Sequence, residues 1–353
     1  MTIPAVLEQL LTTTGPSGYE TAPAKAMAEA CRAFTADVTT DAMGSVIARV
    51  PGTAGGPAIA FVGHIDEIGL IVTHIDDNGF LRFVGVGGWD PMILVGQRVE
   101  LTTKDGVVAG VVGKKAIHLM SPDDRKKAPE LKDLHIDIGA GDGDEARSLV
   151  RVGDVAVIAG RPQELRGGRV ASRSMDNRLG CYVAYEAARL VAEAGGAPGD
   201  VLAVGVVQEE ITMGGARAFA HGPELSGAVV IDVTHETGAP GVEVNELGKH
   251  EFGSGPVIER GSILHPRMFE LLAQTAEREE IAHTLAASAG RTGTDADAIH
   301  LARTGVPTGL IGLPLRYMHS PVELVQLSDV EDAAKLLAAF ALALDPDEGF
   351  ARS

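Results

Sequence analysis

The sequence predicts an α/β protein: a mostly parallel central sheet flanked by helices, with an inserted small β-barrel-like domain. Three observations lead there. The apolar run Val201 to Val207, bounded by Gly199-Asp200, ends in Gln208-Glu209-Glu210, and a valine-rich run of that length reads as a strand buried on both faces of a parallel sheet. Strand-like runs at Ala58–Gly63 and Ala228–Ile231 end in the same abrupt way, in His64-Ile65-Asp66-Glu67 and in Asp232. From about Leu70 to Gly160 the strand-then-helix alternation gives way to strands and turns. The expected division is a discontinuous α/β domain, residues 1–69 and 161–353, around an inserted β domain at 70–160.

In chain order, residues 2–13 and 21–34 predict short helices on either side of Gly15-Pro16-Ser17-Gly18, whose glycines and proline suit a turn. Ser45–Val50 and Ala58–Gly63 predict strands. Within the insert, strands are expected over Phe80–Val86, Arg98–Thr103, Val107–Val112 and Asp154–Ile158, with a hairpin closed by Asp105-Gly106. Ser121–Lys132, dense in Lys, Asp and Pro, predicts a solvated loop. Asp176 suits the N-cap of a helix that puts Leu179, Val183, Ala187 and Leu190 on one face and ends at Gly195-Gly196. Gly241–Gly261 predicts irregular loop, His265–Ile281 a helix, and Thr308–Leu313 a strand leading to Arg316-Tyr317-Met318-His319-Ser320. The last helix is expected to open on the capping box Ser328-Asp329-Val330-Glu331 and to run to about Leu344.

Composition narrows the function. The 353 residues are 45% hydrophobic and 22% charged, enough for a substantial core. Forty-eight acids against 30 bases give a net charge of -18, which argues against nucleic acid or an anionic membrane as partner and favours a cationic substrate group. Cys31 and Cys181 are too few for a disulfide framework and too isolated for a cysteine zinc site. No basic residue precedes Leu7, Leu10 and Leu11, so a secretory signal is not expected, nor is there an apolar run of the ~18 residues a membrane span needs. A soluble, cytoplasmic protein is the expectation.

Ligands of parallel sheets collect at the carboxyl ends of the strands, where His64, Glu209, Glu210 and Asp232 fall. Each candidate has an ordinary reading: His64 and His319 as hydrogen-bonded core histidines, Asp176 as an N-cap, Glu209 and Glu210 as solvated acids, Asp232 as the start of a turn. As a group they ask for more. Adjacent carboxylates repel unless cations sit beside them or one pKa rises. His-x-Asp at a strand end puts a carboxylate where it can orient the ring. Two histidines, two aspartates and a glutamate suit two divalent ions, with one carboxylate to bridge and another left as base. Ions roughly 3.5–4 Å apart activate a water and clamp a tetrahedral intermediate. The set predicts metal-dependent hydrolysis of a bond it does not specify.

Over nearly its whole length the chain resembles the M42 family of dinuclear metalloaminopeptidases. The stretches that carry the resemblance are Gly15-Pro16-Ser17-Gly18-Tyr19-Glu20, Gly63-His64-Ile65-Asp66-Glu67-Ile68-Gly69, Ile117-His118-Leu119, Leu134 to Ala140, Met175-Asp176-Asn177-Arg178-Leu179-Gly180-Cys181, Gln208-Glu209-Glu210, Asp232-Val233-Thr234-His235, Gly293-Thr294-Asp295-Ala296 and Arg316 to Pro321. The resemblance implies that His64 and Asp232 end one metal site, Glu210 and His319 the other, and Asp176 bridges them. It implies Glu209 as general base and Asp66 as the acid that orients His64. It also implies two divalent ions per subunit, zinc by default with cobalt or manganese as options, short peptides as substrates, and self-association of the β domain into tetrahedral dodecamers. His118, His135 and His235 read as structural or loop residues.

The chain departs from the family pattern Glu-Glu-Val-Gly-Leu-Arg-Gly-Ala: it has Thr212 at a glycine position and Gly214 at the arginine position. A deacylase or carboxypeptidase using the same chemistry, and a metal-bound scaffold without turnover, are the alternatives. Lys249, His250 and Arg291, in glycine-rich stretches, are candidates for contacting an acidic side chain.

Overall fold

The computed structural model describes residues 2–350. Helices α1 (Ala5–Thr12) and α2 (Thr21–Cys31) come first, burying Leu7, Leu10 and Leu11 of the one and Met27 and Cys31 of the other. Strands β1 (Val38–Thr40), β2 (Val46–Val50) and β3 (Gly56–His64) follow. The chain then enters a closed barrel of β4 (Gly69–Ile75), β5 (Leu81–Val86), β6 (Arg98–Thr103), β7 (Gly106–Gly113), β8 (His135–Asp137) and β9 (Val155–Ile158), with α3 (Pro91–Leu94) and α4 (Gly143–Leu149) in its connections. The barrel encloses its own core of Leu70, Leu81, Leu101, Ile136 and Ala156. In the β6–β7 hairpin the turn residues are Lys104 and Asp105, one residue earlier than the sequence suggests; Gly106, at φ +128, already belongs to β7 and pairs with Thr103.

Beyond the barrel lie β10 (Gln163–Leu165), β11 (Arg169–Ser172), α5 (Met175–Glu193), β12 (Gly199–Val206), α6 (Glu209–Thr212), α7 (Gly214–His221) and β13 (Gly227–His235). Then come α8 (Val244–Leu247), β14 (Val257–Gly261), α9 (Pro266–Arg278), β15 (Thr284–Ser288), α10 (Ala296–Ile299), β16 (Thr308–Arg316), β17 (Glu323–Gln326) and α11 (Leu327–Ala343). The segment 241–261, expected to be loop throughout, thus holds a helical turn and a strand; β14 pairs with both β15 and β16.

The main sheet runs β1-β2-β12-β3-β13-β16-β17-β11-β10. Its centre, β12-β3-β13-β16, is parallel, and antiparallel pairings extend it on both sides. Alternate residues face opposite ways. Ile59, Phe61, Val201 and Ala203 join the core with α1, α2, α5, α9 and α11, whereas Ala60, Val62, Leu202 and Val204 join a second core with α7 and α10. Both faces being covered is why these strands read as unbroken apolar runs. Burying a side chain such as Phe61 contributes about 1.5–3 kcal/mol. Helix α5 crosses β3 at contact distance: a Cβ on Gly63 would lie 2.3 Å from the Gly180 backbone.

The final helix departs from expectation at its start. It opens at Leu327 behind Gln326, with no side-chain cap. Asp329 instead turns toward the 241–261 segment, its carboxylate accepting the amides of Gly253 and Gly255 at 2.9 and 3.0 Å. Ser121–Lys132 is mostly exposed, as its composition predicts. Among the described residues, no helix is long and apolar enough to cross a membrane.

Candidate active site

His64 ends β3 and stands in register with Val206 of β12, while Asp232 lies on β13, the other neighbour of β3. After Val206 the chain turns through Gln208, at φ +60, into α6, whose first residues are Glu209 and Glu210. His319, at φ +59, sits in the turn beyond β16. The ends of β3 and β12, Asp232 within β13, three residues before that strand ends at His235, and one turn therefore converge.

Asp176 is not the N-cap that the sequence suggests. It sits in the first turn of α5 with non-helical backbone angles (φ -77, ψ 105). Asn177 does the capping, its Oδ1 accepting the Gly180 amide at 2.9 Å while its Nδ2 donates to the Ile231 carbonyl at 2.8 Å. Freed of that task, the Asp176 carboxylate reaches both histidines, with Oδ1 3.0 Å from His64 Nε2 and Oδ2 3.5 Å from His319 Nε2.

Two donor groups result. His64, Asp176 and Asp232 form one, and Asp176, Glu210 and His319 the other, the donor atoms of each lying within 4.8 Å of one another. Glu209 Oε2 stands 3.9 Å from His64 Nε2. Each histidine is also held from behind. Asp66 Oδ1 lies 3.4 Å from His64 Nδ1, and the Gly88 carbonyl lies 2.9 Å from His319 Nδ1. Asp66 makes its shorter contacts elsewhere, accepting the amides of Glu209 and Glu210 at 3.1 Å each.

The electrostatics are those of crowded carboxylates. Burial, helped by Glu210, Asp66 and Asp176, pushes Glu209 up to about 7 despite the opposing pull of His64. Burial likewise raises Glu210, and raises Asp232 far above the carboxylate range. In Asp176 the same burial is outweighed by hydrogen bonds from His319 and His64, and its pKa falls. Hydrogen bonds to Asp176 and Glu210 lift His319 to about 11. His64 rises too: burial alone would lower it, but Asp176 and Asp66 prevail. Four carboxylates around two imidazoles make a site that gains from added positive charge. Cys181, by contrast, is pushed up to about 12 by burial and cannot serve as a thiolate nucleophile.

A cavity of about 700 Å³ opens over these residues and is also lined by Ile211, Thr212, Met213, Arg217, His235 and Arg291 to Thr294. Arg291 does reach it, bonded to Asp297 at 3.0 Å. Lys249 and His250 do not line it: Lys249 pairs with Glu251 at 3.4 Å, and the buried His250 ring lies against Thr284 Oγ1 and the Leu247 carbonyl. Arg217, which the sequence reading overlooked, is an exposed cation on the cavity wall one helical turn beyond Gly214. Thr212 and Gly214 are spatially linked, since a Cβ at 214 would come within 2.9 Å of Thr212 Oγ1. His118 lies in a short, exposed 3-10 turn, and His135 packs edge-on against Phe80 at 4.9 Å.

The other sequence motifs meet behind the site. Glu67 accepts the Gly15 amide at 3.0 Å and pairs with Arg173 and with the fully buried Arg178, the latter at 3.2 Å. Glu20 accepts the Gly18 and Gln208 amides at 2.6 and 3.0 Å. Two residues that sequence reasoning missed complete the frame: Gly88, through its carbonyl, and Glu323, which accepts the amides of Asp176 and His319.

Comparison with known proteins agrees with this geometry. The M42 glutamyl aminopeptidase family profile matches residues 44–336. The lysyl aminopeptidase of Pyrococcus furiosus is 34% identical over 346 residues, covering 97% of each chain. The structure superposes on the TET aminopeptidase of Thaumarchaeota archaeon SCGC AB-539-E09 with a TM-score of 0.91 at 33% identity, over 96% of each chain. It superposes on the TET1 peptidase of Pyrococcus horikoshii, which can assemble into a tetrahedron or a large octahedral shell, with a TM-score of 0.85 at 32% identity, over 96% of this chain and 99% of that one. The chain therefore belongs to the M42 glutamyl aminopeptidase family and is an aminopeptidase.

Proposed function

We propose that the chain removes N-terminal residues from short peptides with two divalent cations per subunit. His64 and Asp232 would hold one cation, Glu210 and His319 the other, and Asp176 would span both. The observation that carries this reading is the sharing of Asp176 between two compact donor groups, with Glu209 beside them. Nitrogen and carboxylate donors without thiolate suit zinc, and also cobalt or manganese. Such ions, when bound, supply Lewis acidity and make a water acidic enough to lose its proton near neutral pH.

Glu209 takes the proton from the attacking water and returns it to the leaving amine. It lines the cavity 3.9 Å from His64 Nε2 and belongs to neither donor group, which leaves its carboxylate free to accept and return a proton. Asp66 holds Glu209 and Glu210 through their amides, so base and ligand keep a fixed spacing. Asp176, through the two histidines, fixes the distance between the two halves of the site.

The catalytic part in this reading is residues 1–69 and 161–353, and the barrel segment, 70–160, carries self-association into a tetrahedral dodecamer working in the cytoplasm. The assembly is supported by the likeness to the TET1 peptidase. The test is a panel of amino-acid p-nitroanilides assayed on the protein as isolated, after chelation, and after return of zinc, cobalt or manganese. Release that chelation abolishes and one metal restores is expected. Release indifferent to chelation would overturn the metal-dependent mechanism.

A further inference from the structure

Glu323 is 2% exposed and opens β17, where its Cα stands opposite Ser172 of β11. β11 leads directly into the Ser174–Asp176 turn, and β17 also pairs with β16, whose end leads into the Tyr317–His319 turn. The residue thus lies at the junction from which two site-bearing turns depart. Both carboxylate oxygens are committed there: Oε2 accepts the Asp176 amide at 3.2 Å and Oε1 accepts the His319 amide at 2.8 Å. Glu323 belongs to neither donor group.

The His319 turn needs such support. Tyr317 and His319 sit at φ +61 and +59, in the left-handed region that side chains other than glycine adopt at a cost. A residue held there persists because its surroundings over-determine it, and the Glu323 bond to the His319 amide is part of that constraint. On the other side, the Asp176 amide belongs to the first turn of α5, whose amides have no partner within the helix.

We infer that Glu323 is a positioning residue, a carboxylate clamp that ties the backbones of Asp176 and His319 together and so sets the cation affinity of the Asp176–Glu210–His319 group. The inference rests on the two-cation reading above. A glutamine at 323 keeps the size but can offer an acceptor to only one of the two amides, presenting an NH2 group to the other.

The experiment titrates metal-free full-length protein with Co²⁺, following heat and the d–d absorption of the bound ion, for the wild type, Glu323→Gln and Glu323→Asp. Two equivalents are expected in the wild type. In Glu323→Gln one of them should weaken by roughly 10–100-fold, the range for loss of a group that orients a ligand, with turnover partly rescued by excess Co²⁺. Glu323→Asp, one methylene shorter, should weaken the same equivalent and serves if the glutamine variant does not fold. Fewer than two equivalents in the wild type would overturn the two-cation reading and this inference with it. Two equivalents of unchanged affinity in both variants, even with a lowered melting temperature, would leave Glu323 a purely structural residue and overturn the inference alone.

Discussion

Asp66 accepts the backbone amide of Glu209 at 3.1 Å, and its second oxygen accepts that of Glu210 at the same distance. One fully buried carboxylate at the end of β3 therefore fixes the start of α6, and with it both acids that point into the site. Its pKa is lowered: burial opposes the charge, but His64 and the backbone bond from Glu209 outweigh it. Asp66→Asn keeps the shape and one acceptor but turns an NH2 group toward the other amide. The expected outcome is a roughly 10–100-fold loss of metal affinity or turnover, read by metal content and kcat on the same preparation. An unchanged kcat with full metal content would remove Asp66 from the machinery.

Glu209→Gln separates the proposed base from the proposed ligands. Glu209 is in neither donor group, so metal content should stay at the wild-type level while kcat falls by roughly 10²–10⁴, the contribution of a positioned general base. Loss of metal together with activity would instead place Glu209 among the ligands.

Gly63 tests how far packing behind the site sets its geometry. A Cβ there would sit 2.3 Å from the backbone of Gly180, and the next residue is His64. Backbone cannot give way as a flexible side chain can, so Gly63→Ala should cost about 1–3 kcal/mol of stability and lower kcat by displacing His64. Thermal unfolding and kinetics read both; a variant with wild-type stability would show that α5 can move off the sheet.

Much of this was legible because the residues concerned declare themselves. The central strands are apolar on both faces, and their apolar runs give way to His64, Glu209-Glu210 and Asp232, residue types rarely left beside a buried sheet without a task. What stayed hidden acts through generic groups. Gly88 contributes a carbonyl, which every residue has, and does so from the barrel, remote in sequence from His319. Glu323 works through two backbone amides, and nothing in its type or spacing announces that. Asp176 and Asn177 are equally able to cap, and only the backbone angles decide between them. Strands β10, β11 and β17 are three or four residues long, and β11 pairs with β17 across more than 150 positions, as Arg169 does with Gln326, so local pattern carries little trace of them.

Arg217 bears on substrate choice. The cavity is acidic on the His64–Glu209 side, and Arg217 and Arg291 supply guanidinium groups elsewhere on its wall. Arg291 is already engaged by Asp297, whereas Arg217 makes no ion pair among the described residues and stands one helical turn past Gly214. Arg217→Ala should raise KM for substrates with an N-terminal Glu or Asp by roughly 10-fold, the weight of one hydrogen bond to a charged group, with KM for Leu or Ala substrates unchanged. Equal changes for all substrates would assign Arg217 to general architecture.

The pH dependence of stability should show the Glu236–Arg316 pair. Burial works to raise the Glu236 pKa, but the hydrogen bond from Arg316, those from the Gly238 and Phe252 amides, and the arginine's charge bring it below the ordinary value. Arg316 is braced in turn by the Phe252 ring, 4.6 Å from its guanidinium carbon. A carboxylate with a lowered pKa in the folded state binds protons more readily when unfolded, so stability rises with pH across the interval between the two values. The contribution is complete above the unfolded glutamate value of ~4.3 and is lost as pH falls through the folded one. Glu236→Gln removes one partner of a nearly buried pair and should cost roughly 3 kcal/mol at neutral pH, with the difference from wild type shrinking in acid. Denaturant melts of both proteins at neutral and acidic pH make the comparison, and a difference that stays constant with pH would show that the pair's charge contributes nothing to the fold.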